Sequence, residues 1–205
     1  MRIVSGKFRG SALQTPEGPT TRPTSDRARQ AVFNILEHAA FAPELDGARV
    51  LDLFAGSGAL GLEALSRGAS FCLFVETDDQ ARGAIRDNIE ALSLFGQTRI
   101  HRRDATDLGP RPSSAGPPFD LAFLDPPYRK GLAERAMQEI AKHEWVADGA
   151  LLVVERAADE PPLSVPGFEV LDERRYGAAK VAFARRRAEA VDGEAALKTK
   201  GVADE

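Results

Sequence analysis

From residue 49 onward, short apolar runs alternate with longer stretches in which apolar residues recur every three or four positions. The short runs predict strands and the periodic stretches predict helices. We expect strands at 49–53, 71–76, 99–102, 120–124, 150–155, 168–175 and 180–185, and helices at 58–67, 78–93 and 131–143. This alternation indicates an α/β fold whose mostly parallel sheet carries helices on both faces. The last two strands have no helix between them, which predicts a terminal hairpin with one antiparallel strand.

The N-terminal part of the chain follows a different pattern. Ser5-Gly6 and Arg9-Gly10 are turn signals within residues 2–14, so a small β-hairpin is expected there. Residues 15–23 contain three prolines and should form an extended arm, followed by a helix that begins near Thr24 or Ser25. We therefore expect a hairpin and basic arm at 1–23, a main domain at 24–187 and a disordered tail at 188–205.

Composition and charge limit the classes of function that are expected for this chain. Among the first 30 residues, six are lysine or arginine and two are acidic, although the whole chain has a net charge of −4. A basic segment on an acidic body indicates contact with a polyanion, and solvated surface charge is the alternative. Cys72 is the single cysteine, so we expect neither a disulfide nor a metal cluster. Since neither a signal peptide nor an apolar run of about 18 residues is found, we expect a cytoplasmic protein without membrane contact.

The stretch from Val50 to Gly61 carries the first chemical signal. Gly56, Gly58 and Gly61 follow the spacing of a dinucleotide-binding turn, and Glu76 comes 20 residues after Gly56. An acidic residue at that distance suits the ribose hydroxyls of a bound nucleotide. The spacing alone leaves NAD(P) and S-adenosylmethionine as equal alternatives.

Two aspartates favour S-adenosylmethionine. Asp52 ends the strand beside the turn, where its charge would repel a pyrophosphate but suit the ammonium and sulfonium of S-adenosylmethionine, directly or through water. Asp104 follows the third strand and could accept a hydrogen bond from an adenine amino group, although an Asp at this place is also a common helix cap. The expected cofactor-binding residues are Asp52, Phe54, Ala55, Gly56, Ser57, Gly58, Glu76, Thr77, Asp104 and Ala105.

The second signal is Asp125-Pro126-Pro127-Tyr128, directly after the fourth strand. Two prolines stiffen the backbone and remove two N–H donors. The Asp125 carboxylate and the Pro126 carbonyl then offer two acceptors for an exocyclic amino group, and Tyr128 can stack on the base. These four residues are the expected catalytic loop for methyl transfer by positioning. A turn with an ordinary core tyrosine is the alternative.

Together these motifs resemble a known family. Asp52-x-Phe54-Ala-Gly-Ser-Gly58 with Asp125-Pro-Pro-Tyr128 resembles the class I S-adenosylmethionine-dependent amino-methyltransferases. Ile3 to Gly10, Thr21-Arg-Pro-Thr24 and Arg27 to Leu36 resemble the bacterial enzymes that methylate guanine N2 of 16S ribosomal RNA. The resemblance implies a Rossmann-like sheet of seven strands and one target guanine in the head of the small subunit, guanine 966. It also implies S-adenosylhomocysteine as product.

The resemblance and the charge distribution together define the expected partner. This is 16S ribosomal RNA within the small subunit or its assembly intermediate, bound by a monomer of this chain. The expected RNA-binding residues are Lys7, Arg9, Arg22, Arg27, Arg129 and Lys130. Adenine N6 and cytosine N4 in DNA or RNA remain alternative acceptors, because both present an amino group to the same loop.

Overall fold

A seven-stranded sheet forms the centre of the protein, for which a computed structural model describes residues 1–16 and 26–188. The strands are β1 Arg49–Leu53, β2 Phe71–Val75, β3 Thr98–His101, β4 Phe119–Leu124, β5 Val146–Ala157, β6 Phe168–Tyr176 and β7 Ala179–Arg186. The helices are α1 Asp26–His38, α2 Ala59–Ser66, α3 Asp79–Ala91 and α4 Leu132–Lys142. The strand order is β3-β2-β1-β4-β5-β7-β6. Strands β1 to β5 pair in parallel and β7 runs antiparallel to β5 and β6, which confirms the predicted sheet.

Side-chain alternation along the strands divides the core into two layers. Val50 and its counterparts pack with apolar residues of α1, α2 and α3, whereas Leu51 and its counterparts pack with α4 on the opposite face. The central strands are apolar at consecutive positions because both of their faces are covered. Helices on both faces of the sheet are thereby confirmed.

β5 extends beyond its predicted bounds of 150–155. It begins at Val146, because Asp148 and Gly149 interrupt the apolar pattern without ending the strand. Gly149 has a φ of 79°, and the β4–β5 register shifts between Phe119 and Leu121. An irregularity of this kind hides the first half of a strand from a periodicity argument.

The N-terminal segment folds back as the expected hairpin, but without regular strands. Its two halves meet at one bridge, Arg2 to Ala12, although Gly6 and Gly10 adopt the positive φ of the expected turns. Backbone bonds from Ile3 N–H to the Ser11 carbonyl at 3.0 Å and from Gly10 N–H to the Ile3 carbonyl at 2.9 Å also join the two halves. Other backbone groups of the segment bond to α2. Glu63 of α2 accepts the N–H groups of Val4 at 2.8 Å and Ser5 at 3.0 Å, so the segment is attached to the sheet layer through this helix.

A buried charge cluster lies beneath that attachment. The Glu63 side chain is fully buried and pairs with Arg67 at 2.8 Å and with Arg29 at 3.7 Å. Arg29 lies in the first turn of α1, and its side chain is 1% exposed and not on the solvated face of the helix. The Arg29 guanidinium also donates to the carbonyl of Arg2, so this cation joins α1 to the N-terminal segment.

Some of the expected elements lie outside the described residues. These are most of the basic arm, with Arg22, the predicted helix start at Thr24 or Ser25, and residues 189–205 of the expected tail. Within the described ranges, no helix combines the length and the apolar character needed to cross a membrane.

Replacement of Glu63 by alanine should destabilise the protein by about 3–5 kcal/mol, since it leaves two buried guanidinium groups without their shared carboxylate. Urea denaturation measures this change. Glu90→Ala, on the exposed side of α3, is the matched control and should stay within about 0.5 kcal/mol of the wild type. A loss as small as that of the control would contradict a central role for the cluster.

Candidate active site

The glycine-rich turn between β1 and α2 has an uncommon backbone. Phe54, Gly56 and Gly58 have φ values of 58°, 55° and 77°, and the Gly58 N–H closes the turn on the Ala55 carbonyl at 2.7 Å. For an aromatic residue such as Phe54, the left-handed conformation costs about 1–3 kcal/mol. Strain of this kind is concentrated at functional sites, which supports the interpretation of this turn as a ligand site.

The three glycines of the motif have different roles. A Cβ on Gly61 would lie 2.5 Å from both Cys72 Sγ and Phe74 Cε1, so this glycine lets α2 pack closely on β2. A Cβ on Gly58 would meet the Phe74 ring at 3.1 Å. Gly56 has open space on its Cβ side, so a ligand can approach its backbone.

Glu76 follows β2 and faces the turn. Its Oε2 accepts the Gly56 N–H at 2.9 Å, and its Oε1 accepts the Asp78 N–H at 2.9 Å. A carboxylate offers about four lone-pair positions, so ribose hydroxyls could bind beside these two amides. Thr77, the next residue, is exposed. Glu76 therefore lies where a residue that binds the ribose hydroxyls is expected. That it binds them stays a prediction.

Asp52 lies beneath the turn and does not face the cleft. It is 1% exposed, and its Oδ2 accepts the Gly61 N–H at 3.0 Å. Burial raises the pKa of Asp52 well above its ordinary value, the Gly61 amide opposes this shift, and the charges of Asp125 and Glu76 add to it. A direct contact between Asp52 and the cofactor, one of the two arrangements that we expected, is therefore wrong. Asp52 shares the strand face of Val50, which packs beneath α2.

Asp104 is held by a local turn. Its Oδ1 accepts the N–H and the hydroxyl of Thr106, each at 2.8 Å, and these two bonds lower the pKa of Asp104. The carboxylate is exposed and charged, so it remains able to accept a hydrogen bond from an amino group. Ala105 is buried behind it. The two bonds from Thr106 to Asp104 are local, as in the helix cap that was the alternative. They close a turn, however, and do not cap a helix.

The Asp125–Tyr128 loop follows β4 at the same edge of the sheet. Because Leu53 and Leu124 are register partners, Asp125 comes next to Phe54 where the two strands end. Asp125 and Tyr128 are half-buried, Pro126 is buried and Pro127 is exposed. The contribution of Asp125 to the pKa of Asp52 shows that their charges interact. The structure thus brings the two predicted motifs together.

Two residues that the sequence interpretation omitted support this site. Tyr128 donates its hydroxyl to Glu155, which interrupts the apolar run of β5. Asn88 of α3 is buried, accepts the Gln14 N–H at 2.7 Å and donates to the Ser57 carbonyl at 3.0 Å. Its position among Ala84, Ile85 and Ile89 at core spacing was a usable signal, since a polar residue on a buried helical face needs partners. Asn88 joins the N-terminal segment to the glycine turn.

The expected RNA-binding residues fall into separate places. Lys7 and Arg9 are exposed, and the Lys7 N–H bonds to the Ser66 carbonyl. Ser66 ends α2, so these two cations lie about 12 Å from the glycine turn along an eight-residue helix. Arg27 is exposed in the first turn of α1.

Arg129 and Lys130 are the two expected RNA-binding residues that the structure places beside the catalytic loop. Both are exposed, and Arg129 pairs with the exposed Asp159 at 3.0 Å. An exposed pair of this kind contributes little to stability, so the guanidinium could exchange its partner for a phosphate.

Comparison with known proteins assigns the fold to a family. The family model described as Conserved hypothetical protein 95 matches residues 1–185. The ribosomal RNA small subunit methyltransferase D of Escherichia coli is 37% identical over 183 residues, which is 89% of this chain and 87% of that protein. The chain belongs to this methyltransferase family. Accordingly, the solved structure of yhhF from Escherichia coli superposes with a TM-score of 0.80 at 34% identity, covering 92% of this chain and 99% of that one.

A more distant similarity concerns a different acceptor base. The tRNA1(Val) (adenine(37)-N6)-methyltransferase of Shewanella sediminis is 29% identical over 117 residues, which is 56% of this chain and 48% of that protein. The chain is thus a methyltransferase with the class I fold, and its relatives include proteins named for a ribosomal and for a transfer RNA.

The raised pKa of Asp52 predicts a pH dependence of stability. An unfolded aspartate loses its proton near pH 4, whereas folded Asp52 keeps it to a higher pH. The resulting stabilisation is complete below the unfolded pKa and is lost as the pH rises through the folded pKa. Asp52→Asn removes this titration but keeps an acceptor for the Gly61 N–H.

We therefore expect the free energy of unfolding of the wild type, relative to Asp52→Asn, to fall as the pH rises above the unfolded pKa of about 4. Urea denaturation at a series of pH values measures this difference. The exposed Asp87→Asn on α3 is the control and should show no such trend. Parallel curves for the wild type and Asp52→Asn would contradict the raised pKa.

Proposed function

We propose that this methyltransferase transfers a methyl group from S-adenosylmethionine to the exocyclic N2 of one guanine of 16S ribosomal RNA in the small subunit, guanine 966 by resemblance. The product is S-adenosylhomocysteine. The observation that carries the proposal is the placement of the Asp125–Tyr128 loop beside the glycine turn, at one edge of the sheet. The identity of 37% to the Escherichia coli enzyme supports the same assignment.

The residues of the turn fit S-adenosylmethionine better than a dinucleotide. The carboxylates of Glu76 and Asp125 both adjoin the turn. This concentration of acidic groups favours a cationic ligand and repels a pyrophosphate. The open side of Gly56 leaves room for close approach to the backbone. We propose that Glu76 binds the ribose hydroxyls and Asp104 the adenine amino group, while Asp52 acts on the ligand only through the turn.

The catalytic loop would then position the acceptor. The Asp125 carboxylate and the Pro126 carbonyl accept the two amino hydrogens, while Tyr128 stacks on the base. The nitrogen lone pair is thereby aimed at the methyl carbon of S-adenosylmethionine. Bound S-adenosylmethionine would supply the methyl group and leave as S-adenosylhomocysteine, and the acceptor nitrogen would lose one proton, to Asp125 or to water. Positioning supplies most of the rate acceleration in such a displacement.

The second candidate is methylation of adenine N6, or of cytosine N4. The partial similarity to an adenine-N6 methyltransferase keeps this candidate open. A tritium-transfer assay with assembled small subunits, naked 16S RNA and DNA separates the possibilities, and mass spectrometry of RNA fragments locates the modified base. Labelled guanine in the small-subunit RNA supports the proposal. Labelled adenine, cytosine or DNA with unlabelled ribosomal substrates would refute it.

Asp125→Ala should lower kcat by at least about a hundredfold, because the acceptor amino group is no longer aligned. Binding of S-adenosylhomocysteine, measured by calorimetry, should stay near the wild-type value. Asp148→Ala, an exposed replacement near the start of β5, should leave both quantities unchanged. An Asp125→Ala variant with full activity would exclude the loop from catalysis.

Charge reversal tests the RNA-binding residues separately. Lys7→Glu, Arg9→Glu and Lys130→Glu should each weaken RNA binding and reduce the slope of log affinity against log salt by about one unit for each lost phosphate contact. Lys142→Glu, at the exposed end of α4, is the control with the same change in charge. Equal salt slopes for Lys7→Glu and the control would remove the N-terminal segment from the RNA interface.

A further inference from the structure

Glu155 lies next to Asp125 at the active edge of the sheet, which is the edge that carries the glycine turn and the Asp125–Tyr128 loop. Phe123 of β4 and Val153 of β5 are direct register partners. Side chains two positions apart on a strand share a face, so Asp125 and Glu155 follow this pair as neighbours on the same face. This is also the face that holds Asp52. β5 continues to Ala157, so Glu155 is anchored within a strand.

Glu155 also contacts the loop that should hold the base. The Tyr128 hydroxyl donates to its Oε1, and both residues lie beside Pro126 and Pro127 around a crevice of about 10 Å³. Each carboxylate oxygen can accept more than one hydrogen bond. Glu155 can therefore hold the Tyr128 ring and accept a further donor from a base that stacks on this ring.

The ring nitrogen that adjoins the amino group determines whether the acceptor base can supply this further hydrogen-bond donor. In guanine, the N2 amino group adjoins the N1–H, which is a donor. In adenine, the N6 amino group adjoins N1, and in cytosine the N4 amino group adjoins N3, and both of these nitrogens are acceptors. A carboxylate beside the amino group therefore binds guanine and repels the other two bases.

We propose that Glu155 accepts the N1–H of the target guanine and so determines the base specificity of the enzyme. This inference rests on the proposed function, since it concerns the acceptor of the same site. It assigns the amino group to Asp125 and the adjoining ring nitrogen to Glu155. Two neighbouring carboxylates would then recognise the donor–donor edge that is characteristic of guanine.

The test uses reconstituted small-subunit particles that carry guanine or 2-aminopurine at the target position. 2-Aminopurine keeps the amino group but has an acceptor at N1. The wild type should prefer guanine in kcat/KM by about tenfold to a hundredfold, the contribution of one hydrogen bond to a carboxylate. Glu155→Gln can turn its amide N–H towards an acceptor, so its preference should fall towards unity.

Two further variants make the result specific. Tyr128→Phe removes the hydroxyl bond but leaves the carboxylate, so it should lower both rates and keep the guanine preference. Glu169→Gln, on the exposed strand β6, should change neither rate. Calorimetry with S-adenosylhomocysteine checks that each variant is folded.

The outcomes separate the inference from the proposed function. A preference that falls in Glu155→Gln but not in Tyr128→Phe supports the specificity role. An unchanged preference in Glu155→Gln, or an equal loss on both substrates, overturns it while guanine methylation stands. If the wild type does not methylate guanine in these particles, the proposed function itself fails.

Discussion

The close contact between α2 and the sheet controls the geometry of the active edge. Gly61 allows this contact, since any Cβ would overlap the side chains of Cys72 and Phe74. With α2 so close, the Asp52 carboxylate bonds to the Gly61 amide beneath the turn. The same helix carries Glu63, which binds the backbone of the N-terminal segment. One rigid helix therefore sets the position of both the glycine turn and the N-terminal segment.

The acidity of the site follows from the parallel sheet. Residues after successive parallel strands meet at one edge, and here they include Glu76 after β2, Asp104 after β3 and Asp125 after β4. Burial is the main cause of the raised pKa of Asp52, and the charges of Asp125 and Glu76 add to it. Such a cleft has its lowest energy with a cation present, and a ligand with a sulfonium centre supplies one. The electrostatics of the cleft thus favour methyl transfer over hydride transfer from a dinucleotide.

The sequence predicted the sheet and its active edge because both depend on local patterns. Apolar runs located all seven strands, and the glycine and proline motifs located the two loops. The burial of Arg29 was not predictable, because it depends on Glu63, a carboxylate that is distant in the sequence. The direction of Asp52 was predictable in principle, since its strand parity matches Val50. The bond from Tyr128 to Glu155 was not predictable, because it depends on how the loop after β4 folds back onto strand β5.

The arrangement of positive charge bears on the size of the partner. Lys130 lies beside the catalytic loop, whereas Lys7 lies at the far end of α2, about 12 Å from the glycine turn along eight residues. The α2 bonds to the N-terminal segment and the bonds of Asn88 to Gln14 and Ser57 hold this segment against the glycine turn, which the Asp125–Tyr128 loop adjoins through the β1–β4 pairing. A free nucleotide cannot reach both of them, but a folded RNA can. If both regions bind phosphate, the rigid spacing between them selects for the shape of the RNA, while Asp125 and Glu155 select the base.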